Sequence, residues 1–80
     1  MIVKILGPGC ANCHRLEERT RAALDALGLE ATVENVTDYG DIASYGVLKT
    51  PGLVADETVL VSGRVPSSEE IGTLLGAAVQ

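Results

Sequence analysis

Two cysteines, Cys10 and Cys13, stand three residues apart where a short apolar run gives way to a helical pattern, and that spacing limits how the chain can hold itself together. The ring closed by a Cys10–Cys13 bond is tiny, and the stability a disulfide lends grows with the length of the loop it closes. The pair therefore cannot staple a small domain as the bridges of secreted mini-proteins do. A chain of 80 residues lies near the small end of what folds without staples. It must rely on its own core, and a hydrophobic content of 46% is enough for one. That core has to be aliphatic, because Tyr39 and Tyr45 are the only aromatics. The cysteines are left for chemistry: redox exchange, metal binding or cofactor attachment.

The pattern around them alternates strands and helices. Ile2 to Leu6 is a short apolar run of the kind buried on both faces of a sheet, and Gly7-Pro8-Gly9 breaks it. Cys10-Ala11-Asn12-Cys13 opens a helix to about Leu27, with Leu16, Ala23, Leu24 and Leu27 on one face. Gly28 suits the left-handed position just past a helix end. Ala31 to Val36 reads as a second strand, and Thr37 or Asp38 caps a short helix through about Tyr45, closed by Gly46. Leu53-Val54-Ala55 and Thr58 to Val61 form a hairpin turned by Asp56-Glu57. After the loop Gly63-Arg64-Val65-Pro66, Ser67 with Glu70 three residues on makes a capping box for a last helix, whose apolar face is Ile71, Leu74, Leu75 and Ala78. The first two strands, joined by a helix, are expected to be parallel through a right-handed crossover, and the last two antiparallel. The simplest packing is one α/β domain over residues 1–80, a four-stranded mixed sheet with helices on both faces.

Charge narrows the function. Six basic residues against eleven acidic leave a net charge of −5, and no stripe of Lys/Arg interleaved with aromatics appears, which argues against nucleic acid as a partner. Met1 to Leu6 lacks a basic leader and carries Lys4 inside its apolar run, unlike a secretory signal. No stretch approaches the ~20 apolar residues of a membrane span. The expected setting is the cytoplasm, where an exposed cysteine pair is kept largely reduced and is more often catalytic or metal-binding.

The place of the pair has a physical logic. A helix N-terminus presents unpaired N–H groups and about half a positive charge, which favours thiolate over thiol. Cys10 precedes or caps that helix, so its sulfur is expected to be the exposed attacker with the lower pKa. Such settings bring a thiol from ~8.5 to ~7 or below. Cys13 lies one turn in, close enough to attack a mixed disulfide formed on Cys10.

At these residues the chain resembles the thioredoxin-fold proteins, in particular the small archaeal and bacterial thioredoxin-like "redox-active disulfide" proteins. Gly7-Pro8-Gly9-Cys10-Ala11-Asn12-Cys13, Ser44-Tyr45-Gly46-Val47, Thr50-Pro51 and Ser62-Gly63-Arg64-Val65-Pro66-Ser67 carry the resemblance, in order and over essentially the whole chain. It implies a minimal thioredoxin fold, βαβαββα, with strand order 2-1-3-4. It also implies Cys10 as nucleophile, Cys13 as resolving thiol, a redox disulfide between them, and Thr50 with a cis Pro51 as the substrate-binding element facing them. The implied activity is thiol–disulfide exchange, a protein disulfide reductase without cofactor or metal. Its partners would be a disulfide-bearing protein or small molecule and a reductase as electron donor, with no membrane or nucleic acid, and a monomeric state.

The chain also departs from that pattern. Gly9 stands where thioredoxin has a Trp, Ala11-Asn12 replace Gly-Pro between the cysteines, and Lys4 falls where thioredoxin buries an Asp that assists proton transfer. Lys4 reads as a snorkelling lysine and His14 as a half-exposed helix residue, and the two are also the candidates for tuning the pair. The glutathione-binding signature of glutaredoxins is incomplete, since Lys49-Thr50 precede Pro51. Three other readings of the cysteines compete. Cys10 to His14 matches the C-x-x-C-H pattern of haem attachment, but a second axial ligand is wanting when the only Met is Met1 and the only His is His14. Two thiolates also suit soft Cu(I) in a metallochaperone. That fold pairs its second and third strands as a hairpin, ends on a strand and has Met where Pro8 stands. A structural zinc site needs two more ligands. Tyr45 reads as packing, Lys49 and Arg64 as solvated surface charge or as residues on the rim of the cysteine site, and Gly63 as a backbone position in the loop after the hairpin, close to Pro51 in the fold the resemblance implies.

Overall fold

β1 (Ile2–Leu6) lies inside the sheet, and apart from Lys4 its residues are apolar on both faces. The computed structural model describes residues 1–9, 11–47 and 49–78, apart from the side chain of residue 78. In chain order β1 is followed by α1 (Ala11–Leu27), β2 (Thr32–Val36), α2 (Tyr39–Ser44), β3 (Gly52–Ala55), β4 (Thr58–Ser62) and α3 (Ser68–Ala78). The strands form one sheet in the order β2-β1-β3-β4. β1 pairs with β2 in parallel, Ile2 opposite Thr32 and Leu6 opposite Val36, and with β3 antiparallel, Leu6 opposite Gly52. β3 and β4 make the antiparallel hairpin. This is the minimal thioredoxin fold, and β2 and β3 form no hairpin with each other.

Strand alternation divides the core. Val3 and Ile5 of β1 face α1 and α3 and pack with Leu16, Leu24, Leu53, Val61, Ile71 and Leu75. Leu6 turns the other way and packs with Ile42 of α2, Val47 and Val54. Lys4 shares that second face, as its cross-strand neighbours Glu34 and Val54 require.

Local chemistry sets most element ends. The Asp38 carboxylate accepts from the Asp41 amide at 3.1 Å and caps α2, and the Ser67 hydroxyl accepts from the Glu70 amide at 3.2 Å to cap α3. α1 closes at Gly28 (φ +67°), where the Leu29 amide reaches the Leu24 carbonyl and the Gly28 amide that of Asp25, a Schellman ending. Asp56 and Glu57 both have positive φ, 46° and 68°, the two-residue turn that suits the twist of a hairpin. Neither is glycine, and both are held: the Ile2 amide donates to the Asp56 carboxylate at 2.9 Å, and Lys4 grips Glu57. Leu53 faces Val61 while Val54 faces Val59, which leaves Leu60 as the extra residue of a bulge.

One helix residue departs from its expected burial. Leu27 lies on the apolar face of α1 yet is 45% exposed, whereas Thr20 is fully buried, its hydroxyl donating to the Leu16 carbonyl at 2.7 Å. A helix of 17 residues is about 25 Å long and a five-residue strand about 17 Å. Leu27 therefore overhangs the sheet, while Thr20 sits over its middle.

Candidate active site

The site forms where β1 ends. Gly7 continues the strand by donating to the Val36 carbonyl at 2.9 Å, then Pro8 and Gly9 lead to α1. Cys13, in the first turn of α1, is buried, and its sulfur lies over Gly7 so closely that a β-carbon there would overlap Sγ. The same β-carbon would stand 3.8 Å from Cβ of Thr50. Three segments thus meet at Gly7: the end of β1, the start of α1 and, from more than 40 residues further on, the turn before β3. A glycine is required at this crossing because no side chain fits between them. The sequence marks Gly7 only as a strand breaker. Cys10, the expected nucleophile, lies outside the described residues.

The Thr50–Pro51 peptide is cis. Pro51 is buried and Thr50 half-buried. The Pro51 carbonyl accepts from the Gly63 amide at 2.9 Å, which ties the turn before β3 to the loop after β4. That loop is also held from α1, where the Arg19 guanidinium donates to the carbonyls of Pro66 at 3.2 Å and Val65 at 3.4 Å. Gly63 (φ +80°) is covered by Lys49, and a β-carbon at Gly63 would lie 2.9 Å from Cβ of Lys49.

The two candidates for tuning are placed differently. His14 is exposed on α1, one residue beyond Cys13. Lys4 lies on the opposite face of the sheet from α1, and its ammonium donates to the Tyr45 hydroxyl at 2.6 Å and the Glu57 carboxylate at 2.9 Å. The Tyr45 ring centroid is 5.3 Å away, so the ammonium meets this ring at its hydroxyl end. The hydroxyl and then the carboxylate hold Lys4 charged well above the usual lysine range, and Lys4, then Tyr45, hold Glu57 below the usual carboxylate range. Glu57 belongs to the β3–β4 turn, at the end of the sheet away from Gly7. The structure thus brings Cys13, Gly7 and Thr50 together and gathers Lys4, Tyr45 and Glu57 elsewhere. The sequence pattern gives Tyr45 packing and Glu57 only a turn. The signal for both was the lysine inside an apolar strand, which demands acceptors when its head is drawn out of water.

Among the described residues no group of three His, Cys, Asp or Glu side chains converges as a metal site, and no helix is long and apolar enough to cross a membrane.

The family model of the thioredoxin domain matches residues 1–76. The thioredoxin of Methanothermobacter thermautotrophicus is 40% identical over 75 residues, which cover 94% of this chain and 97% of that protein. The thioredoxin of Methanocaldococcus jannaschii is 37% identical over 71 residues, covering 89% of this chain and 81% of that protein.

Proposed function

This chain belongs to the thioredoxin domain family, a family of thiol–disulfide oxidoreductases, and on that footing we propose that it reduces disulfides with Cys10 and Cys13 as its dithiol. Cys10 immediately precedes α1, where N–H groups and helix dipole favour a thiolate. That thiolate attacks one sulfur of a substrate disulfide; a Cys10–substrate bond forms, the substrate S–S bond breaks, and one substrate thiolate leaves and takes a proton. The Cys13 thiolate then attacks Cys10 sulfur and expels the second substrate thiolate. The substrate gains two electrons and two protons, and the chain is left with a Cys10–Cys13 disulfide. A reductase dithiol returns it to the reduced form.

The observation that carries this reading is the meeting of the Cys13 sulfur, Gly7 and Thr50 at one end of the sheet. It supports Cys13 as the shielded resolving thiol, and Thr50 and Pro51 as the surface along which a substrate segment lies. We assign the dithiol to a disulfide-bearing polypeptide in the cytoplasm, with the chain acting as a monomer.

The test is reduction of insulin with dithiothreitol as electron source, alongside single cysteine variants. Wild type accelerates the reduction, Cys13→Ser accumulates a mixed disulfide, and Cys10→Ser traps little because the remaining sulfur is buried. Alkylation of the reduced protein labels Cys10 before Cys13. The reverse order, with Cys10→Ser the better trap, would exchange the two roles. A wild type that reduces nothing but binds Cu(I) tightly and stoichiometrically would move the same two sulfurs to the metal-binding alternative.

A further inference from the structure

The cations of this acidic chain are gathered unevenly. Lys49 is one residue before Thr50, and its side chain lies along Gly63, whose amide holds the Pro51 carbonyl. Arg64 follows Gly63, and Arg19 reaches the carbonyls of the next two residues, Val65 and Pro66. Three of the six basic residues therefore converge on one loop, which is bonded directly to the turn beside Cys13. Carboxylates near them are Glu70, paired with Arg64, and the exposed Glu69. Among the described residues neither Lys49 nor Arg19 forms an ion pair with a carboxylate. At the other end of the sheet Asp56 and Glu57 occupy the β3–β4 turn. Pro8, Gly9, Ala11 and Asn12, the residues flanking the cysteines, are exposed and include no aromatic side chain. Charge is the feature of this end that can discriminate between substrate segments.

We infer that the Lys49–Arg64 rim selects disulfide-bearing polypeptides with acidic residues beside the cysteine to be attacked. This deepens the proposed redox function and rests on it. The rim favours encounter with such segments and holds their carboxylates while the sulfurs exchange, the role that complementary charge plays at protein interfaces.

Two disulfide peptides, identical except that Glu or Lys flanks each cysteine, are reduced under single-turnover conditions. Opposite charges about 6 Å apart in water are worth roughly threefold and like charges the inverse, so one contact with Lys49, Arg64 being paired with Glu70, gives the acidic peptide about a tenfold advantage over the lysine peptide at low salt. The advantage shrinks toward unity in ~1 M salt, where screening extends only ~3 Å. Lys49→Gln lowers the ratio about tenfold, to near unity, and Lys49→Glu about a hundredfold, which inverts the preference. A change in thiol chemistry would move both rates together, so the ratio isolates the rim. A cysteine-free acidic peptide, titrated by NMR, shifts the amides of Lys49, Gly63 and Arg64, and its lysine counterpart does not. Those shifts support the rim even where no peptide is reduced, a result that would strike the redox reading instead. Equal rates in wild type, a ratio indifferent to Lys49→Glu, or shifts centred elsewhere would overturn the inference.

Discussion

Gly63 carries two separable demands, and Gly63→Ala measures their sum. The first is conformational: at φ +80° an L-residue sits in the left-handed region, at a cost of roughly 1–2 kcal/mol. The second is steric. A β-carbon on Gly63 would lie 2.9 Å from Cβ of Lys49, well inside the ~3.5–4.0 Å at which carbons rest. Because the obstacle is a β-carbon and not a flexible side-chain tip, backbone must move, and such overpacking costs about 1–3 kcal/mol. Gly28 isolates the first demand, since it has φ +67° and a β-carbon there would meet nothing within 4 Å. Gly28→Ala should therefore cost about 1–2 kcal/mol and Gly63→Ala about 2–5 kcal/mol. For a domain of this size 1 kcal/mol corresponds to roughly 4–8 °C of Tm, which separates the two variants clearly in thermal and urea unfolding. Lys49→Gly removes the obstructing carbon, and in that background Gly63→Ala should fall back to the cost of Gly28→Ala. Equal losses for the two glycine variants in the native background would refute the steric argument. Because the Gly63 amide holds the Pro51 carbonyl at 2.9 Å, disulfide reduction should fall in the same variant.

Gly7→Ala should destabilise by about 1–3 kcal/mol through overlap with the Cys13 sulfur. Most of that loss should vanish in a Cys13→Ala background, and a double-mutant cycle without coupling would show the crowding to lie elsewhere. Glu57, held below the usual carboxylate range by Lys4 and Tyr45, stabilises the fold above pH ~4.3 and loses that contribution as pH falls through its lower folded value. Glu57→Gln should flatten this part of the acid limb of a stability–pH curve, and curves that run parallel for variant and wild type would refute the assignment.

Much of the architecture is local and legible in the sequence. Ser67 with Glu70, Asp38 before α2, Gly28 after α1 and the Asp56-Glu57 turn each act within a few residues, so their chemistry is written side by side. The apolar run from Ile2 to Leu6 likewise foretells a strand covered on both faces, with Val3 and Ile5 on one and Leu6 on the other. What tertiary structure alone decided are the meetings across the chain. Lys4 finds Glu57 53 residues away and Tyr45 41 away, and nothing near Lys4 in the sequence names either. Periodicity puts Leu27 on the correct face of α1, but its exposure depends on where a long helix outruns a short strand. Gly7 reads as a turn residue until α1 folds back and sets the Cys13 sulfur upon it. Periodicity and capping depend on neighbours within a turn or two, whereas such contacts depend on how whole elements cross, which is set by the packing of two apolar faces on one sheet.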